Sequence, residues 1–305
     1  ALAGAVPPHS LRQETVCEAA GEAFAGNRVA VVPDADGLSA GQMQAIAAEF
    51  GYSETAFVRP AQDSLRVAEL RVFTPRGEVP FAGQPAIATA FVLGRLGRAH
   101  GRRATPRLLL EAQAGPVTAE LMLDGARITG ASVRPPGPLL LGPELDTETI
   151  ASCAGLAPAD IRTDRHPPLI ASLGVPFAIA ELTSAAALAR ARPDVEAFAA
   201  HLPIVLTKGL HLYVRDGEAG DGSARRLMLR ARTFTPLHGI VEDTATLAPA
   251  RRRGTLTLVV TQGNATGRPA VVEASSIWSE PAEMQTWVQG LCAPVMRGYV
   301  RVPES

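Results

Sequence analysis

The readable pattern begins with an unbroken apolar run, Val29 to Val32, followed by the turn residues Asp34-Ala35-Asp36-Gly37. That combination predicts a buried strand running into a turn. Ser39-Ala40-Gly41-Gln42 has the spacing of a capping box, and Leu38 and Met43 are placed as its hydrophobic staple. Met43, Ile46, Ala47 and Phe50 recur at helical spacing, and Gly51 stands where a helix stop belongs. Ser53-Glu54-Thr55 then leads into a second apolar strand, Ala56-Phe57-Val58. Further on, Glu78 to Gln84 reads as a loop, and Pro85 suits the first position of a helix because its missing N–H is not needed there. From Ala86 to Leu93 every residue except Thr89 is apolar or alanine, which predicts a helix buried on all sides.

A second pattern is long-range. Arg71-Val72-Phe73-Thr74-Pro75 is echoed by Arg232-Thr233-Phe234-Thr235-Pro236. A polar loop with an acid follows each, Glu78 in the first and Glu242-Asp243 in the second, and then a run of small apolar residues. Internal duplication is the simplest explanation, although apolar strands ending in Thr-Pro also recur by chance. Two similar halves facing each other would make a cleft suited to a small molecule.

The chain's 305 residues suffice for two domains of ordinary size. Its 29 basic and 30 acidic residues nearly cancel, so no net field draws it to nucleic acid or an anionic membrane. Its 3 cysteines, Cys17, Cys153 and Cys292, are odd in number and widely spaced, which argues for a reducing compartment. No apolar run reaches the length of a membrane span, and a soluble cytoplasmic protein is expected. Walker, dinucleotide-binding, Gly-x-Ser-x-Gly and His-Glu-x-x-His motifs are absent, and the histidines lack metal-ligand spacing. Lys208 is the only lysine, so a Schiff-base cofactor would have to be carried there.

Two places carry candidate chemistry. A carboxylate entering an apolar strand, as Glu54 does, risks desolvation that would tune it for proton transfer, although most such glutamates are solvated. The N–H groups at the start of the apolar helix, near Gly83, Gln84 and Pro85, would suit a carboxylate ligand or be satisfied by their own loop. Phe24-Ala25-Gly26-Asn27 resembles Phe81-Ala82-Gly83-Gln84, each a glycine followed by a side-chain amide.

In order and spacing, several motifs resemble the PhzF, or phenazine-biosynthesis-like, family. In the first half they are Phe24-Ala25-Gly26-Asn27, Asp34 to Ser39, Ser53-Glu54-Thr55, Phe73-Thr74-Pro75 and Pro80-Phe81-Ala82-Gly83 with Pro85. In the second half Gly174-Val175-Pro176-Phe177, Leu212-Tyr213-Val214, Phe234-Thr235-Pro236, Glu242-Asp243 with Ala245-Thr246, and Gln262-Gly263 agree. The resemblance implies an α+β fold like that of diaminopimelate epimerase, two pseudo-symmetric domains, each a curved sheet or barrel around a central helix. Residues 1–134 would form the first half, with its helix near 85–96. Residues 135–305 would form the second, with a helix near 243–252 and a last strand that is a candidate to return to the first domain. It further implies a homodimer without cofactor or metal, acting on a small unsaturated carboxylic acid. Glu54 and Asp243 would be catalytic, and Gly26, Asn27, Ser53, Gly83, Gln84 and Thr246 would bind substrate.

The departures from the family pattern carry information of their own. Gln84 replaces the usual histidine and cannot titrate. Leu247-Ala248 replaces the usual Gly-Ser, and Pro249 costs about 3 kcal/mol inside a helix. With Arg251-Arg252-Arg253 behind it, the second central helix is expected to be shortened or displaced. Three functions compete. The leading one is an isomerase that moves a double bond in a small cyclic amino or imino acid, as in a branch resembling the alkylproline enzymes of lincosamide-type antibiotic pathways. The second is a racemase or epimerase using paired thiols, although the cysteines lie outside the matching turns. The third is a binding protein that has lost catalysis.

Overall fold

The capping box folds as its spacing dictates. In the computed structural model, which describes residues 10–18, 22–221, 224–243, 254–278 and 285–304, Ser39 Oγ accepts from the Gln42 N–H at 3.2 Å and Gln42 Oε1 accepts from the Ser39 N–H at 3.0 Å. Helix α1 (Ala40–Phe50) follows and stops at Gly51, whose φ of 61° is left-handed. Met43, Ile46 and Ala47 turn inward against Val32, Phe57 and Phe73.

Helix α2 (Gly83–Leu96) starts two residues earlier than Pro85 and is sealed from Pro85 to Leu93. Eight strands surround it. Ser10–Glu18, Asn27–Val32, Glu54–Arg59, Ala68–Thr74, Arg107–Ala112, Gly115–Asp124, Arg127–Arg134 and Gln285–Arg301 pair in sequence, and the last returns to the first to close the ring. Each large side chain buried from α2, such as Ile87, Phe91 and Leu93, contributes about 1.5–3 kcal/mol against leaving it in water. An unbroken apolar surface is therefore what a helix inside a closed sheet requires.

The second half repeats the first in pairing sense. Asn27–Val32 is parallel to Glu54–Arg59, and the following pairings run antiparallel, parallel, antiparallel and antiparallel out to Arg127–Arg134. From Pro176–Leu182 the same series runs through Gly209–Asp221, Ala224–Thr235, Gly254–Gln262, Ala270–Trp278 and Gln285–Arg301. The echoed Phe73 and Phe234 occupy equivalent strands. Among the described residues the second core is lined by helices α3 (Thr147–Ala154), α4 (Ala185–Arg190) and α5 (Val195–His201), which pack Ile150, Leu188 and Phe198 against Leu210, Leu212 and Phe234. Strand Gln285–Arg301 belongs to both halves: it pairs with Ala270–Trp278 in the second and with Ser10–Glu18 and Arg127–Arg134 in the first. Val272, Ala274, Val288 and Cys292 consequently lie in the core around α2.

Two sequence expectations need correction. The polar loops after the echoes begin as short strands, Gly77–Val79 and Ile240–Asp243, each returning in a hairpin on the strand before it. The reason is a clamp repeated in both halves. Arg71 makes a two-pronged pair with Glu78 at 2.7 and 2.6 Å across the first hairpin. Arg232 does the same with Glu242 at 2.9 and 2.8 Å across the second. Asp243, expected at the start of a second central helix, is thus the last residue of a strand. Residues 244–253, which include the rest of that expected helix, Thr246, Ala248 and Pro249, lie outside the described residues.

Candidate active site

Equivalent strands bring equivalent turns together. Glu54 lies beside Val29 in the parallel pair of the first half, and Gly209 lies beside Phe177 in that of the second. Lys208, immediately before Gly209, is therefore the counterpart of Ser53. Its place is fixed by the buried Thr207, whose hydroxyl accepts from the N–H groups of Ala178 and Gly209 at 3.1 and 3.2 Å. The Lys208 N–H itself donates to the Pro176 carbonyl at 2.8 Å.

Across the boundary between the halves, Lys208 Nζ donates to Glu54 Oε1 at 2.6 Å, with side-chain exposures of only 10% and 4%. Glu54 is thus one of the minority of strand-entry glutamates that are buried, and it is buried with a partner. Burial acts most strongly on Lys208 and opposes its charge, but the fields of Glu54 and Asp243 outweigh it and hold the ammonium above the ordinary lysine range. Asp243 is itself 5% exposed. Its neighbour Glu242 is held by the Arg232 clamp, so the clamp positions Asp243 at the end of its strand.

Behind Glu54 runs an amide chain. Ser53 Oγ donates to Asn27 Oδ1 at 3.1 Å, and Asn27 Nδ2 donates to Gln84 Oε1 in a short contact while lying 3.5 Å from Glu54 Oε2. The two glycine–amide turns that look alike in sequence therefore meet through their amides. Gly26, at φ 64°, ties its turn to the second half: its N–H donates to the Pro269 carbonyl and its carbonyl accepts from Arg268 Nε, both at 2.9 Å. Gln84 Nε2 is buried with no hydrogen-bond partner among the described residues. It stands on the first turn of α2, where the capping position is Ala82 and supplies no side-chain acceptor.

These groups border a cavity of about 100 Å³. Glu54, Gly83, Gln84, Lys208 and Asp243 supply its polar wall, and Phe81, Val175, Phe177, Val272 and Val288 are among its apolar residues. Of the residues expected from sequence, Glu54, Gly83, Gln84 and Asp243 border the cavity, Asn27 and Ser53 support them from behind, and Gly26 holds the turn. Lys208 was visible only as an isolated lysine. His238, in the turn after the second Phe-Thr-Pro, was not singled out at all. Its imidazole pKa is pushed down by burial first and then by Lys208 and Arg76, with Glu54 opposing. Neither Cys153 nor Cys292 borders the cavity, and both are buried.

The arrangement can take a proton at Glu54, donate a hydrogen bond from Gln84 and compensate negative charge through Lys208. The sequence profile of a family described as phenazine biosynthesis-like protein, PhzC-PhzF, matches residues 19–298. A trans-2,3-dihydro-3-hydroxyanthranilate isomerase of Pseudomonas chlororaphis is 33% identical over 263 residues, covering 82% of this chain and 84% of the relative. An uncharacterized isomerase of Mesorhizobium japonicum is 37% identical over 184 residues, a match spanning 60% of this chain and 59% of the relative's length. The fold is similar to that of the Bacillus anthracis phenazine biosynthesis protein of the PhzF family, with a TM-score of 0.76 at 21% identity over 95% of this chain and 99% of that one.

Proposed function

The chain belongs to the phenazine biosynthesis-like PhzC-PhzF family and is an isomerase, and on that footing we propose that it shifts a double bond in a small unsaturated cyclic amino or imino acid. Glu54 takes a proton from an sp3 ring carbon and becomes a carboxylic acid. The electron pair of the broken C–H bond spreads into an extended enolate or dienamine. Return of the proton from Glu54 to a different carbon regenerates the carboxylate and leaves the double bond displaced. The Gln84 amide and the backbone near Gly83 hold the transient negative charge, and Asp243 faces the substrate nitrogen. No cofactor takes part in these steps.

The observation that carries this reading is the Glu54 carboxylate, almost fully buried in the wall of a cavity between the two halves. The name of the Pseudomonas chlororaphis relative supports the substrate class, because a dihydro-hydroxyanthranilate is itself a small unsaturated ring bearing an amine and a carboxylate. In its finer form the proposal takes the ring to be a pyrroline on the way to a 4-alkylproline antibiotic of lincosamide type. Gln84 in place of the family's histidine and the Arg-rich, Lys-poor composition support that form.

The test is incorporation of solvent deuterium into a panel of pyrroline carboxylates and into trans-2,3-dihydro-3-hydroxyanthranilate, followed by NMR. The wild-type chain is expected to exchange at least one of them, and Glu54→Gln to exchange none. Exchange that survives in Glu54→Gln would remove Glu54 from the mechanism.

A further inference from the structure

The base of the proposed reaction is occupied at rest. A carboxylate held at 2.6 Å by an ammonium has its lone pairs engaged and its charge neutralised, which is a poor state from which to abstract a proton from carbon. Yet the cation that engages it borders the same cavity as the base. Resting on the isomerase reading, we propose that Lys208 is the receptor for the substrate's carboxylate and that Glu54 covers it until substrate arrives. The incoming carboxylate displaces Glu54 from the ammonium, and the displacement is what releases Glu54 as the base.

Charge balance favours this order. At rest the Lys208 ammonium lies in the fields of both Glu54 and Asp243 and is hydrogen-bonded to Glu54. A substrate carboxylate entering this wall would add a further buried anion unless it takes the Lys208 ammonium. When the proton moves from carbon to Glu54, the negative charge leaves Glu54 and appears on the substrate. The ammonium then sits beside that charge throughout. Proton return restores the charge to Glu54, which recaptures Lys208 as product leaves. Gln84 Nε2, which has no hydrogen-bond partner among the described residues, provides a second donor for the bound acid.

The choice of residue points the same way. Lys208 is the only lysine among 29 basic residues. Where this chain needs a fixed clamp it uses arginine, whose planar fork grips both oxygens of Glu78 or Glu242. A lysine is a compact charge on a flexible stem and can pass from one carboxylate to another, which a two-pronged arginine pair resists.

The experiment uses two planar probes without an sp3 ring carbon, pyrrole-2-carboxylate and pyrrole-2-carboxamide, so that binding is read without reaction. Calorimetry is expected to show that Glu54→Gln binds the carboxylate at least about tenfold more tightly than wild type, because the competing anion is gone, with the carboxamide unaffected. Lys208→Met is expected to lose carboxylate binding. The double variant E54Q/K208M leaves neither partner's charge behind and serves if a single variant fails to fold; it should bind the two probes alike. Unchanged or weaker carboxylate binding in Glu54→Gln overturns the competition, and so does carboxylate preference in the double variant. Absence of pyrrole-2-carboxylate binding to Glu54→Gln at millimolar concentration overturns Lys208 as a receptor. A chain that passes these tests but never exchanges deuterium keeps the receptor and loses the isomerase reading, so the two failures are distinguishable.

Discussion

The duplicated Arg–Glu clamps supply their own control. Arg71 and Arg232 make the same two-pronged pair across equivalent hairpins and lie over equivalent rings, Phe73 at 5.3 Å and Phe234 at 4.9 Å. They differ in burial: 20% and 27% exposed for Arg71 and Glu78, but 11% and 12% for Arg232 and Glu242. Arg232 also donates to the carbonyls of Leu188 at 3.1 Å and Ala191 at 2.8 Å, tying α4 to the hairpin. Replacing each arginine by methionine keeps much of the aliphatic stem and removes the charge. Arg71→Met leaves a carboxylate that water can reach, and about 1 kcal/mol is expected. Arg232→Met strands a carboxylate that is only 12% exposed and unpairs the carbonyls of Leu188 and Ala191, for which about 3–5 kcal/mol is expected. The loss of ring contact is common to both and cancels in the comparison. Urea unfolding followed by circular dichroism reads the difference as a lower midpoint for Arg232→Met at unchanged slope. Because Glu242 adjoins Asp243, deuterium exchange should fall in Arg232→Met and be nearly retained in Arg71→Met. Equal midpoints for the two variants would refute the argument that burial, rather than pair geometry, sets the value of the clamp.

A thiol mechanism predicts loss of activity in a C17S/C153S/C292S variant, whereas retained deuterium exchange is expected, since Cys153 is fully buried and burial pushes its thiol up to about 11. A second expectation concerns pH. His211 is 1% exposed, Thr233 Oγ1 lies 2.8 Å from its Nδ1, and burial lowers its pKa from 6.5 to about 4. Between those values the unfolded chain binds the proton and the folded chain does not. The contribution is therefore complete above 6.5 and is lost as pH falls toward 4, by about 3 kcal/mol. His211→Asn should flatten that limb in denaturant titrations at stepped pH; an unchanged limb would assign the acid loss elsewhere.

Helices α1 and α2 were legible because their signals are local: a capping box and a stop glycine for one, an all-round apolar surface for the other. Glu54 was legible as a candidate, since a carboxylate at the mouth of an apolar strand is unusual enough to notice. Its partner was not. The echo places Phe73 opposite Thr55 and Phe234 opposite Leu210, but the hairpin joining the second pair is longer, so counting back from Phe234 by the first half's spacing misses Lys208. The hairpins after the echoes look like loops in sequence because their strands are short and depend on an arginine seven or ten residues away. The return of residues 285–301 to the first barrel follows from the family resemblance, which makes the last strand a candidate for it, and not from local pattern, because the choice of partner strand is made by packing across the whole chain.

The shared strand Gln285–Arg301 has a consequence for the order in which the protein is made. A ribosome that has delivered the whole first half has delivered a sheet with two raw edges, Ser10–Glu18 and Arg127–Arg134, which have no common neighbour until the final strand emerges. Contacts of such sequence separation form slowly, and open edges are where nascent chains associate wrongly. Lesions anywhere in the second half that delay that strand should therefore surface as aggregation of the first, so the yield of soluble chain in the cell would report on residues far from those that actually stick.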